Sequence, residues 1–118
     1  MKHEFINIVT DLDYSQNWII NRIMEKSGKA YIQCYHFLDD LERFIISDLF
    51  VKEAVRKNKL GEGLILEAIE YSRRNNGKSV SLWVEKNSWK FEWYKRLGFI
   101  PTVPDENNPE DIWMELTL

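Results

Sequence analysis

The stretch FIISDLFVKEAVRKNKLGEGLILEAIEYS, residues 44–72, decides the fold. It opens with apolar, β-prone residues up to Val51, which predict a strand. Gly61 and Gly63 then flank Glu62. Apolar residues recur every three to four positions from Leu60, which predicts an amphipathic helix. A strand that feeds a glycine-containing basic loop at a helix N-terminus is a general anion-binding arrangement, because free backbone N–H groups and the helix dipole point at one place. A plain βα unit, with glycines for close packing, is the alternative that this pattern leaves open.

The loop fits neither of two common nucleotide-binding motifs. No Gly-Lys-Ser/Thr follows it, so it is not a P-loop, and it has only two of the three glycines of the dinucleotide fingerprint. The anion-binding interpretation therefore needs support from elsewhere in the chain.

Composition limits the class of protein. The 118 residues predict a single domain over 1–118 with a substantial core, and the net charge of −3 argues against a broad nucleic-acid surface. Cys34 is the only cysteine, which excludes an intramolecular disulfide framework and a cysteine-rich zinc site, and no metal site is expected. No apolar run approaches 18 residues and no signal peptide is evident, so we predict a cytoplasmic protein with no membrane contact.

The rest of the chain alternates between strand and helix patterns. We predict the order β-α-β-β-α-β-α-β-β, an α/β fold with a mixed sheet and a closing antiparallel hairpin. The elements expected on either side of the central unit are a strand from Glu4 to Thr10, a helix from about Trp18 to Lys26 stopped by Gly28, a strand from Ala30 to Phe37 that forms a hairpin with the central strand, a strand from Ser79 to Val84, a helix from Trp89 to Leu97, a strand stopped by Pro101, and a last strand from Ile112.

Two motifs resemble the GNAT superfamily of N-acetyltransferases over residues 43–118. The first is that family's acyl-CoA loop, Q/R-x-x-G-x-G/A, which falls on Arg56 to Gly61 when counted from Val51. The second is Asn, six residues, Tyr, three residues, Gly-Phe, which is intact here as Asn87, Tyr94 and Gly98-Phe99. The resemblance implies a GNAT-like mixed sheet flanked by helices, with a shortened N-terminal region, and acetyl-CoA as co-substrate.

The resemblance also assigns roles to individual residues. Tyr94 matches the family's general acid, and Asp48 is a candidate base for the acceptor amine. Cofactor contacts are implied for the strand end, the loop, the helix start and the second motif: Leu49, Phe50, Val51, Arg56, Lys57, Asn58, Lys59, Leu60, Gly61, Glu62, Gly63, Asn87 and Tyr94. The side chain of Glu62 is expected to turn away from the phosphates because of its charge.

Three departures from the family pattern keep a second function open. Lys59 replaces the first loop glycine, so its side chain either crowds the pyrophosphate or adds a cation to it. Ser47 stands where many relatives have the glutamate that deprotonates the amine. Strand alternation would point Asp48 to the opposite face unless a bulge intervenes. The N-terminal region, which usually builds the acceptor pocket, is short.

The two function classes are an acetyl-CoA-dependent N-acetyltransferase acting on a primary amine of a small molecule or protein, and a weakened GNAT-like acyl-CoA-binding or interaction module. Asp39, Asp40, Glu42 and Asp48 suggest a cationic acceptor. The sequence leaves the oligomeric state open between a monomer and a homodimer.

Overall fold

A single seven-stranded sheet organises the chain in the computed structural model, which describes residues 4–13, 17–53, 59–104 and 110–118. The strand order is β1-β2-β3-β4-β5-β7-β6. Every neighbouring pair is antiparallel except β4 and β5, which run parallel. The elements are β1 Phe5–Asp13, β2 Trp18–Glu25, β3 Ala30–Phe37, β4 Asp40–Val51, α1 Leu60–Arg74, β5 Ser79–Glu85, α2 Trp89–Arg96, β6 Ile100–Pro104 and β7 Asp111–Thr117.

The central β4-α1-β5 unit forms as the sequence predicts. Parallel strands need a crossover connection, and α1 provides it. The helix buries one stripe of side chains, which are Leu60, Leu64, Ile65, Ala68, Ile69 and Ser72. It packs on β3 and β4, where Tyr71 meets the Phe44 ring edge-on at 5.9 Å and Ser72 Oγ lies 3.6 Å from Cys34 Sγ. The mixed α/β class and the closing β6–β7 hairpin are confirmed.

The helix predicted from Trp18 to Lys26 is wrong, because these residues form strand β2. It pairs antiparallel with both β1 and β3. Alternation places Asn21 and Ile23 in the interior, at 2% and 0% exposure. The buried polar Asn21 interrupts the apolar alternation that would have indicated a strand, while β-branched isoleucines favour one. Gly28, taken as a helix stop, instead adopts φ +80° in the β2–β3 turn.

Both helices pack on the same face of the sheet, which we call the helical face. The helix α1 contacts Cys34 and Phe44 there, and a Cβ built on Gly98, just after α2, would lie 3.2 Å from Leu116 Cδ1. Register pairs Leu116 with Val80, and Val80 with Phe44, so all three share that face.

The opposite face, which we call the open face, carries no helix among the described residues. It presents aromatic rings from four strands: Trp18 on β2, Tyr31, Tyr35 and Phe37 on β3, Trp83 on β5 and Trp113 on β7. These rings are half-buried or exposed, whereas Val80, Leu82 and Met114 on the helical face are at most 2% exposed.

Strand β6 continues through Pro101, which was expected to stop it. It lies at the end of the sheet order, and an edge strand tolerates proline because one side of its backbone needs no partner. In the described part of the chain, neither helix has the length and apolar character needed to cross a membrane.

Candidate active site

The parallel strands β4 and β5 separate and leave a cleft between them. They are paired only where Arg43, Phe44 and Ile45 lie beside Ser79, Val80 and Ser81. Beyond that point their backbones diverge, and both helices begin at the wide end. Separated strands leave backbone N–H and C=O groups without ladder partners, which gives a ligand places to bind.

Two adjoining cavities occupy the cleft. The inner cavity, of about 470 Å³, is lined by Ile46, Ser47, Asp48, Leu49, Leu82, Trp83, Val84, Glu85, Ser88, Trp89, Lys90 and Tyr94. The outer cavity, of about 620 Å³, is lined by Leu49, Phe50, Val51, Lys59, Gly61, Glu62, Trp89, Lys90 and Trp93. Three residues, Leu49, Trp89 and Lys90, border both, so the two cavities form one continuous path.

The N-terminus of α1 opens onto the outer cavity. Lys59 is the N-cap residue, and its side chain makes no capping hydrogen bond, so it does not compete with an anion for the first-turn N–H groups. Lys59 adopts φ +56°, the left-handed conformation that a glycine would take at low cost. Glu62 borders the cavity as well.

Two of the described cofactor residues predicted from the sequence, Leu60 and Gly63, are not on the cavity walls, and Arg56, Lys57 and Asn58 lie outside the described residues. Leu60 is a core residue at 3% exposure. Gly63 donates its N–H to the Lys59 carbonyl at 3.0 Å, and a Cβ on it would lie 3.2 Å from the Phe5 ring.

A β-bulge brings both Ser47 and Asp48 to the inner cavity. Register pairs Gln33 with Ser47 and Tyr31 with Phe50, so β4 has one residue more than β3 in this interval. Asp48 takes φ +53° there, which breaks the alternation of side chains.

The Asp48 carboxylate is held from the open face. With the Gln33 amide oriented to satisfy both neighbours, its nitrogen donates to Asp48 Oδ2 at 3.0 Å and its oxygen accepts from Arg22 Nη2 at 2.9 Å. Asp39, Asp40 and Glu42 do not join this group. They lie around the start of β4, at most roughly 20–30 Å from Asp48 at the usual rise of a strand.

Tyr94 projects from α2 to the inner cavity and is only 6% exposed. Its ring packs against Trp93 at 5.1 Å and edge-on against Phe99 at 5.7 Å. Burial raises the pKa of the Tyr94 phenol to about 12, so it keeps its proton at neutral pH.

Asn87 does not line either cavity. Its side-chain nitrogen donates to Glu110 Oε2 at 3.0 Å, and the neighbouring Lys86 N–H donates to the Glu110 carbonyl. In this structure Asn87 therefore joins the β5–α2 turn to the residue that precedes β7.

Three residues of α2 on the cavity walls were missed in the sequence: Trp89, Lys90 and Trp93. The signal was helical spacing, because Lys90 lies one turn before Tyr94 and must share its side of the helix. A Cβ on Gly61 would lie 3.7 Å from Trp93 Cη2, so α2 closely approaches the start of α1.

Two further side chains with acid–base or nucleophilic chemistry, Cys34 and His36, line neither cavity. Burial raises the pKa of the Cys34 thiol to about 12, which supports a core role rather than a nucleophilic one. Burial lowers the pKa of His36, whose ring lies 4.6 Å from that of Phe44. Within the described ranges, no three His, Cys, Asp or Glu side chains group in a way that could hold a metal ion.

The family follows from the sequence as a whole. The model of the acetyltransferase (GNAT) domain family matches residues 13–101. The chain belongs to the GNAT family. An uncharacterised N-acetyltransferase of Methanocaldococcus jannaschii is 30% identical in an alignment of 95 residues that covers 70% of this chain and 42% of that protein. The GNAT chain thus spans about two-fifths of the length of this curated relative.

Solved structures share the GNAT fold. A Klebsiella pneumoniae protein assigned as an acyl-CoA N-acyltransferase superposes with a TM-score of 0.71 at 19% identity, covering 98% of this chain and 97% of its own. The N-acetyltransferase PaiA of Thermoplasma acidophilum, solved with coenzyme A, has a TM-score of 0.68 at 21% identity, covering 89% of this chain and 64% of its own. These likenesses establish the fold of the sheet and its two helices.

Proposed function

We propose that this GNAT chain transfers the acetyl group of acetyl-CoA to a primary amine. The observation that carries the proposal is the continuous cleft between β4 and β5, which runs from the N-terminus of α1 to Tyr94. One end of this cleft suits phosphates and the other holds a proton donor and a carboxylate. Coenzyme A bound to the solved relative PaiA gives further support.

The phosphates of the donor would bind at the outer cavity. Lys59 and Lys90 supply positive charge there, and the first-turn N–H groups of α1 supply donors. The loop residues Arg56, Lys57 and Asn58 would complete this end. The pantetheine arm would lie along Leu49 to Val51, where β4 has left β5 and its backbone can pair with the arm's amides.

The reaction needs a neutral amine, because an ammonium group has no lone pair. An alkyl amine has a pKa of about 10, so a base must take its proton at neutral pH. Asp48, at the bulge, is the carboxylate on the cavity wall that we assign to this step, directly or through water. The amine nitrogen then forms a bond to the acetyl carbon, the C–S bond breaks, and the sulfur leaves with the electron pair.

Tyr94 would assist the departing sulfur. Its pKa of about 12 lies above the value of roughly 8.5 for an alkyl thiol, so complete proton transfer is uphill. We therefore assign Tyr94 a hydrogen bond to the developing thiolate, which stabilises charge that appears in the transition state. The thiolate takes its proton from solvent on release.

Two measurements test this function. Acetyl-CoA at 100 times its dissociation constant should stabilise the fold by about 2.7 kcal/mol, and thiol release should depend on both acetyl-CoA and an added primary amine. Leu66→Ala, on the exposed outer side of α1, is the control that should keep both signals. If acetyl-CoA leaves melting and calorimetry unchanged, the cleft does not bind this donor.

One observation favours a second candidate, an acyl-CoA-binding module without turnover. Asn87, expected to contact the donor, is instead held by Glu110. Binding of acetyl-CoA with no acetylation across peptide, polyamine and small monoamine acceptors would select this alternative.

A further inference from the structure

An aromatic cluster lies on the open face and is used by neither cavity. Tyr35 is its centre: its ring is edge-on to Trp18 at 5.4 Å and to Phe37 at 5.9 Å, and Trp18 and Phe37 stack at 6.0 Å. All three rings are half-buried. The indole N–H of Trp18 is buried and has no hydrogen-bond partner among the described residues, so the cluster also contains one N–H group that can donate to a ligand.

This cluster adjoins the carboxylate assigned to the acceptor amine. Gln33, two residues from Tyr35 on the same face of β3, donates to Asp48. Burial is the main cause that raises the pKa of Tyr35, and the charge of Asp48 adds to it in the same direction. Asp48 therefore faces the inner cavity and the aromatic cluster at once.

The N-terminal hairpin explains why the cluster is accessible. Residues expected to form a helix beside the sheet are strand β2 instead, and they extend the sheet rather than cover it. As far as the described residues show, the open face between Asp48 and Trp18 thus offers ring faces and edges in place of a helical wall.

We propose that this cluster is the acceptor subsite and that the acceptor is a primary amine carried on a flat aromatic or apolar body. The ammonium would lie at Asp48 and the body over Tyr35, Trp18 and Phe37. Charge complementarity places the amine, and offset or edge-to-face ring contacts with burial of apolar area hold the body. A polyamine lacks this apolar body and so forgoes the ring contacts. The proposal rests on the transferase function for its chemistry but not for its binding test.

The test compares two acceptors that differ only in a phenyl ring, 4-phenylbutylamine and butylamine, with spermidine as a third. Calorimetry is done on the full chain saturated with CoA, so that binding is read without turnover. We expect 4-phenylbutylamine to bind about tenfold more tightly than butylamine. Tyr35→Leu should remove this difference, and Tyr35→Phe should keep it.

Matched controls separate the cluster from the fold. Trp113→Leu, on the open face but three strands from Tyr35, should keep the preference. Tyr35→Leu should leave the CoA dissociation constant and the affinity for butylamine within about twofold. Equal binding of the two monoamines, tighter binding of spermidine, or a preference that survives Tyr35→Leu would each overturn the subsite.

Turnover with the same amines distinguishes this proposal from the proposed function. The phenyl preference in binding without any acetylation would support the subsite and contradict the transferase. Acetylation that favours butylamine or spermidine would support the transferase and contradict the subsite.

Discussion

Tyr94 carries the sharpest prediction for a single residue. Tyr94→Phe removes the hydroxyl from a 6% exposed ring and keeps the ring packing. Because the hydroxyl acts on charge that develops at the leaving sulfur, we expect kcat to fall roughly 10–100-fold while the acetyl-CoA dissociation constant stays nearly constant. Steady-state and single-turnover kinetics check this, with Tyr71→Phe on α1 as the control. If acetyl transfer limits kcat and Tyr94→Phe leaves kcat unchanged, Tyr94 serves only in packing.

Lys59 combines backbone strain with a charge at the cleft. A lysine at φ +56° is about 1–2 kcal/mol less stable than in the right-handed region, whereas glycine has no such strain. Allowing for the greater freedom of glycine in the unfolded chain, Lys59→Gly should raise the free energy of unfolding by about 0.5–1 kcal/mol. It should also weaken CoA binding by about two- to fivefold, because a cation leaves the outer cavity.

Urea unfolding and calorimetry measure both effects of Lys59→Gly, and Lys59→Arg is the comparison that keeps charge and strain. Tighter CoA binding by the glycine variant would mean that the lysine crowds the phosphates, which is the other alternative that the sequence left open.

At the scale of elements, the turn between α1 and β5 depends on Gly77. A Cβ there would lie 2.7 Å from Phe44 Cδ1 and 2.9 Å from the Ser72 carbonyl oxygen, and the backbone atom cannot give way. Gly77→Ala should therefore lower the free energy of unfolding by about 1–3 kcal/mol in urea denaturation. A Cβ at Gly28 would have no atom within 4 Å, so Gly28→Ala meets only the backbone strain of φ +80°. It should lower the free energy of unfolding by about 1–2 kcal/mol. A smaller loss at Gly77 than at Gly28 would contradict the packing argument.

For the whole molecule, buried protonated groups predict loss of stability in alkali. The pKa of the Cys34 thiol is raised from 9.0 to about 12 and that of the Tyr94 phenol from 10.0 to about 12, both by burial. Since the unfolded chain releases these protons first, their contribution is constant below about pH 9 and is lost as the pH rises towards 12. Each group adds a slope of about 1.4 kcal/mol per pH unit once it is ionised in the unfolded state.

Urea unfolding from pH 8 to 11 measures this slope, and Cys34→Ala isolates one group. The variant should be less stable at pH 8 because of its small cavity, yet it should lose less stability than the parent chain between pH 9 and 10. If the free energies of unfolding of the variant and the parent chain fall in parallel over that interval, Cys34 does not contribute to the loss of stability in alkali. The single domain and the cytoplasmic location stay predictions, and the choice between a monomer and a homodimer stays open.

Local patterns determined the helices and the family. The four-residue spacing from Leu60 and the glycine after Leu97 specify α1 and the end of α2, because helix contacts lie within one turn. The spacing of Asn87, Tyr94 and Gly98 carried the GNAT resemblance. These features depend on neighbours in sequence, and so they could be predicted.

Contacts between distant residues decided the rest. Residues 18–25 became a strand because β1 and β3 offered partners on both sides, which their own pattern does not reveal. The bulge at Asp48 exists only as a mismatch in register between β3 and β4, and the cleft exists only because β4 and β5 part after Ile45. Register and divergence are properties of strand pairs, so the sequence by itself determined the motifs while the tertiary structure decided which side chains meet.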